Sequence, residues 1–138
     1  MGRYLALSHR WIQGPTPEWV TREANNSFKT RFEWFSIDEL PATVNDAVKV
    51  TRELGFQYVW IDSICIIQDS PQDWATEASK MADVYTNAFL TLFADCGKDD
   101  NSIFEEDVES AYLSDRAWIF QERILSVRIL HFGRDQIF

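Results

Sequence analysis

Short apolar runs alternate along the chain with stretches in which apolar residues recur every three or four positions. Tyr4 to Ser8 is an apolar run that predicts a buried strand, and the polar and aromatic segment from Trp11 to Glu39, which holds Pro15 and Pro17, predicts a loop or lid. A helix opens at Leu40-Pro41. Thr43, three residues before Asp46, gives it a capping-box-like start, Val44, Ala47, Val48 and Leu54 keep helical spacing, and Gly55 stops it. Tyr58-Val59-Trp60-Ile61 is rich in strand formers and stops at Asp62-Ser63. A second helix follows, with Pro71 in its first turn, a stripe of Trp74, Ala78, Met81, Ala82 and Tyr85, and Asn87 placed to end it in a left-handed turn. Ala88 to Ala94 reads as a third strand and Lys98 to Glu109 as an acidic surface excursion. A third helix is predicted over about Asp115 to Leu125, a fourth strand over Val127 to Phe132, and a turn at Gly133-Arg134 leaves room for a fifth strand at Gln136 to Phe138.

Strands alternating with helices of this length predict a three-layer α/β fold. Its sheet is mostly parallel, of about four to five strands, with helices on both faces. Such sheets bind ligands at the C-terminal ends of their strands, which here carry Ser8-His9-Arg10, Asp62-Ser63 and Asp95-Cys96. At 138 residues, nearly half of them apolar, the chain fits one domain over 1–138, and its ending at Ile137-Phe138 in strand-like sequence fits a domain cut from a longer protein.

Charge narrows the partners. A formal net charge of −9, with thirteen scattered Lys and Arg residues, repels phosphate backbones, so nucleic acid is not expected. No apolar run approaches the roughly 20 residues a membrane helix needs. Cys65 and Cys96 could pair, but no basic-then-apolar leader directs the chain to an oxidising compartment, so both are expected reduced in the cytoplasm.

Several residues could carry chemistry. On the third predicted helix Ala117, Phe120 and Ile124 form a packing stripe, while Trp118 and Glu122 lie one turn apart on another side, a ring beside a carboxylate. The plainer account of Glu122 is that it pairs with Arg116, Arg123 or Arg128 and orders the helix. Asp62 and Ser63 could hold a ligand hydroxyl or cap the next segment; Gln68 and Asp69 could bind a ligand or cap the following helix, the cap being the stronger reading for Asp69. Glu77, three residues before Lys80, is a second acidic candidate whose plainer account is a surface ion pair. Cys65, flanked by isoleucines, reads as an inert core residue more than as a nucleophile with His9 and Asp62. His9, His131, Cys65 and Cys96 lack paired metal-ligand spacing, so no metal is expected. The five glycines form no dinucleotide or Walker loop, and no bound cofactor is required.

The blocks Tyr4-Leu5-Ala6-Leu7-Ser8-His9-Arg10-Trp11, Leu40-Pro41-Ala42-Thr43 and Tyr58 through Asp69, then Asp73-Trp74, Glu77, Met81, Tyr85 and Arg116 through Ser126, stand in the order of the fungal heterokaryon incompatibility (HET) domain, which the chain resembles over nearly its whole length. It departs from the family at His9-Arg10-Trp11-Ile12, where Tyr-Cys-Trp-Gly is more usual, and in a short segment from Gly97 to Leu113. The resemblance implies a cell-death effector of non-self recognition, working with an upstream sensor or as a homo-oligomer. More distantly the chain is similar to Toll/interleukin-1 receptor (TIR) domains, some of which cleave NAD with a Glu four residues after a Trp, as Glu122 follows Trp118 here. That likeness implies NAD as substrate, Glu122 as catalytic carboxylate with Glu77 as second candidate, and Ser8, His9, Asp62, Ser63, Gln68 and Trp118 as ligand-binding residues. The alternative is a non-catalytic adaptor that assembles through exposed aromatics such as Trp11, Trp19 and Trp34.

Overall fold

The computed structural model describes residues 2–9, 16–25, 29, 35–94 and 122–132. Four strands, β1 (Tyr4–His9), β2 (Tyr58–Ile61), β3 (Leu90–Ala94) and β4 (Ile129–Phe132), form one sheet in the order β2-β1-β3-β4. Every pairing is parallel, with Leu7 opposite Ile61 on one side and Leu92 on the other. The expected parallel α/β sheet is therefore present, and the predicted fifth strand at 136–138 lies outside the described residues.

The two-residue period of the strands divides the core. Leu5, Leu7, Ile61 and Leu92 point to one face, where helix α1 (Ala42–Glu53) covers them with Val44 and Ala47. Tyr4, Ala6 and Trp60 point to the other, against Tyr85 and Ala88, Met81 and Leu125. Helices thus lie on both faces, α1 on one and, on the other, α4 (Met81–Asn87) with the helical turn at 122–125. β2 is an edge strand, which leaves Tyr58 exposed while Ile61 is buried.

Several local expectations change. The first helix starts at Ala42 with Pro41 as its cap residue and no side-chain cap bond, so Thr43 lies inside the helix and Asp46 pairs with Lys49 at 3.3 Å. Pro41 holds the extended backbone a cap position needs without donating or accepting through its side chain. Gly55 does stop the helix, with φ 78°. The helix predicted after Pro71 is two: α3 (Pro71–Ala78) and α4, separated at Ser79-Lys80. Trp74 is consequently exposed while Tyr85 is buried, and they do not share one stripe. Asn87 ends α4 within the helix, its amide donating to the Asp83 carbonyl at 2.7 Å, and Ala88 follows in extended conformation (φ −60°, ψ 137°) with no left-handed turn.

The segment expected to be a loop or lid is packed where it is described. Val20 and Thr21 are buried and Trp19 packs against the core instead of standing exposed; Trp11 and Trp34 lie outside the described residues. Thr21 joins the segment to helix α2 (Asp62–Cys65), which follows β2 directly: its N–H donates to the Ser63 carbonyl at 3.0 Å and its hydroxyl to the Ile64 carbonyl at 2.7 Å.

Candidate functional site

Ser8 near the end of β1 and Asp62 just past the end of β2 stand side by side because parallel strands bring their C-terminal ends to one edge. Ser8 points to the Tyr85 face, two positions beyond Ala6. There Glu122, at the start of the helical turn at 122–125, accepts a short hydrogen bond from the Ser8 hydroxyl across 114 positions of chain. Glu122 is 8% exposed and Ser8 2%, so this is an interior contact.

The helical turn is fixed to the sheet by a relay of hydroxyls. Ser126 donates to the Glu122 carbonyl at 2.5 Å, and Thr91 of β3, itself buried, meets the Ser126 hydroxyl at 2.7 Å. On the same face the buried Tyr85 hydroxyl donates to the Leu7 carbonyl at 3.4 Å. Its ring stands edge-on to Trp60, centroids 5.6 Å apart.

Burial pushes the Glu122 carboxyl up to about 7, with the nearby Asp62 charge acting in the same direction and the hydrogen bonds from Ser8 and Tyr85 opposing it. The Tyr85 phenol is held far above its ordinary value by burial first and then by Glu122 and Asp62. His9 lies 3.8 Å from Asp62, and burial lowers its pKa against the pull of that carboxylate. The cluster therefore holds a carboxyl group poised near neutrality beside a second carboxylate and an imidazole that favours its neutral form.

The packing stripe expected on this helix is reversed where it is described. Ile124 is exposed, and Glu122 and Leu125 face the sheet. The Ser8 hydroxyl donor makes the inward carboxyl tolerable, which apolar spacing cannot register. Of the arginines considered as its partners, Arg128 donates to the Phe89 carbonyl at 2.8 Å and Arg116 lies outside the described residues.

Other candidates are placed differently. Ser63 is fully buried, and its N–H donates to Asp62 Oδ1 at 2.6 Å within the first turn of α2. Gln68 donates through its amide to the Asp62 and Ile66 carbonyls at 3.0 and 3.1 Å, closing the loop after α2. Asp69 does not cap the following helix. It accepts from the N–H groups of Glu23 and Ala24 at 2.7 and 2.9 Å, and those bonds, Ala24's foremost, lower its pKa. Glu77 forms the surface ion pair with Lys80 at 2.7 Å. Cys65 is exposed and not a core residue, and its hemmed-in sulfur, with Asp62 and Glu77 nearby, has its pKa raised, which disfavours a thiolate. Trp118, Arg10, Asp95 and Cys96 lie outside the described residues.

Among the described residues no three His, Cys, Asp or Glu side chains converge as a metal site, and no helix is long and apolar enough to cross a membrane. An open cavity of about 440 Å³, lined by Arg3, Gly55, Phe56 and Tyr58 among others, lies at the opposite, N-terminal end of the strands.

Fold and site together define a parallel α/β domain with a buried acidic cluster at the C-terminal edge of its sheet. Over residues 4–106 the chain matches the family model described as heterokaryon incompatibility protein (HET), and it belongs to that family. The matched span contains Ser8, His9, Asp62, Ser63, Gln68 and Tyr85 and ends before Glu122. No curated protein and no solved structure matches the chain significantly.

Proposed function

We propose that the chain is a cytoplasmic cell-death effector domain of fungal non-self recognition, acting as a self-associated or sensor-coupled module, and that it cleaves NAD through Glu122. The observation that carries this reading is Glu122 itself, a carboxyl group with a pKa near neutrality, set against Ser8 and near Asp62 at the sheet edge where α/β folds bind ligands. Breaking the bond between ribose and nicotinamide releases the cationic pyridinium as a neutral base, so the leaving group needs no proton and one carboxylate suffices, unlike ordinary glycosides. The ionised Glu122 stabilises the positive charge that develops on the ribose. Water then adds at the same carbon, giving ADP-ribose, nicotinamide and a proton. NAD is the substrate, and no other cofactor takes part. The sequence likeness to TIR domains, with Glu122 four residues after Trp118, supports the choice of substrate.

A second reading has an observation of its own. Glu122 is almost wholly enclosed and already hydrogen-bonded by Ser8, an arrangement that suits a structural clamp in a non-catalytic adaptor. Nicotinamide release from NAD by the purified chain, at low and at high protein concentration beside a folded Glu122→Gln variant, separates the two. The enzyme reading expects release that grows with concentration and falls by about a hundredfold or more in the variant. Equal release by both proteins, or none from a folded and self-associated sample, favours the adaptor.

A further inference from the structure

The acidic stretch at 98–109 has no part in the site at the C-terminal edge of the sheet. It carries Ile103, Phe104 and Val108 among Glu105, Glu106, Asp107 and Glu109, and its placement lies outside the described residues. The complementary composition occurs at the N-terminal end of the sheet. Arg3 and Arg128 both stand over the Phe89 ring, 5.4 and 4.5 Å from its centroid, and the Phe56 ring lies 4.8 Å from it. Arg52, also exposed, is in the last turn of α1, two residues before Leu54. Among the described residues Lys49 and Lys80 pair with Asp46 and Glu77, whereas no carboxylate pairs with Arg3, Arg52 or Arg128. Only the Arg128 Nε is engaged, by the Phe89 carbonyl, which leaves its terminal nitrogens for an anion. Leu54 and Tyr58, which line the open cavity with Arg3, are exposed, and so is Val127 next to Arg128.

In a chain of net charge −9, three cations without a counter-charge among exposed apolar side chains define a surface that another group completes. The cavity is too open to enclose a small ligand, but it can receive a side chain of a protein segment. We propose that this end of the sheet docks the acidic segment at 103–109 of a second copy of the chain, its aromatic side chain entering the cavity and its carboxylates meeting the arginines. The inference rests on the reading of the chain as a self-associating module. The described residues that bracket the segment lie at the opposite edge of the sheet, where Ala94 pairs with His9 and Glu122 meets Ser8. Copies stacked head to tail therefore bring the segment of one to the arginines of the next. The two surfaces are unlike, so the contact does not close on itself and the assembly lengthens with concentration.

Sedimentation velocity of the full chain tests the proposal with two double variants, one for each side of the contact. Arg3→Glu with Arg52→Glu reverses the charge of the docking surface, and Phe104→Ser with Glu105→Gln blunts the segment. The parent is expected to associate as its concentration rises, and each variant alone, shown by circular dichroism to be folded, to need about tenfold or more protein to do so. An equimolar mixture of the two is expected to give dimers and nothing larger, because one intact surface and one intact segment remain to meet. A parent that stays monomeric, a variant that associates like the parent, or a mixture that stays monomeric overturns the proposal. If a variant does not fold, the synthetic peptide of residues 101–109 is expected to dissociate the parent's assemblies, and a version with its acids replaced by amides to leave them intact. Assemblies that ignore both peptides again overturn it. None of these readouts measures NAD cleavage or sensor coupling, so a negative result strikes the contact and not the effector reading.

Discussion

At the residue scale, Glu122 illustrates how burial turns an ordinary surface residue into a titrating element of the fold. Its carboxyl is raised from 4.5 to about 7, so between these values the folded chain holds a proton that the unfolded chain has released. The neutral form is the one the interior favours; its contribution to stability is complete below about 4.5 and is lost as pH rises through 7. Relative to Glu122→Gln, which cannot ionise, the wild-type chain is expected to lose about 3 kcal/mol of unfolding free energy across that window. Urea unfolding of both proteins at several pH values measures the difference, and parallel curves would contradict it. His9 acts in the opposite sense, because its lowered pKa costs stability as pH falls. The comparison with Glu122→Gln cancels that background. Glu122 was legible as a candidate from its spacing after Trp118, whereas Tyr85 read only as part of a packing stripe. A tyrosine in an apolar stripe carries no mark of the acceptor its hydroxyl will meet across the sheet.

Element ends show where local chemistry decides and where it does not. Gly55 ends α1 with φ 78°, and a Cβ built there would meet nothing within 4 Å. The cost of Gly55→Ala is thus conformational and not steric, expected at about 1 kcal/mol and measurable as a lower urea midpoint with unchanged slope. A variant as stable as the parent would show that the turn relaxes to negative φ. The stop at Gly55, Pro71 at the head of α3 and the strand at Tyr58–Ile61 were all legible, since each depends on residues within a few positions. The break between α3 and α4 was not, because Glu77-Ala78-Ser79-Lys80-Met81 contains no helix breaker. The two short helices serve different surroundings, with Trp74 45% exposed and Tyr85 drawn against the sheet.

For the whole molecule, stability rests on the two central strands. Leu92 on β3 is fully buried, aligned with Leu7 of β1 and Leu130 of β4 and facing α1. Leu92→Ala is expected to cost between about 2 and 5 kcal/mol, whereas Leu54→Ala, at a half-exposed helix end, is expected to change stability by no more than about 0.5 kcal/mol. Denaturant unfolding of the pair tests the core assignment. Comparable losses would place the core elsewhere.

The sequence by itself determined the parallel α/β class, the four strand segments and membership of the heterokaryon incompatibility family, because two-residue and helical periodicities and ordered blocks are properties of the chain alone. It also placed Ser8 and Asp62 at strand ends, which in any parallel sheet share one edge. Only the tertiary structure decided that Glu122 turns inward to meet Ser8, that the Tyr85 hydroxyl reaches the Leu7 carbonyl, and that Asp69 ties down the segment at Glu23-Ala24. The reason is range. Those contacts join residues 45 to 114 positions apart in number order, and whether a carboxylate is buried or solvated depends on donors that the local pattern does not contain.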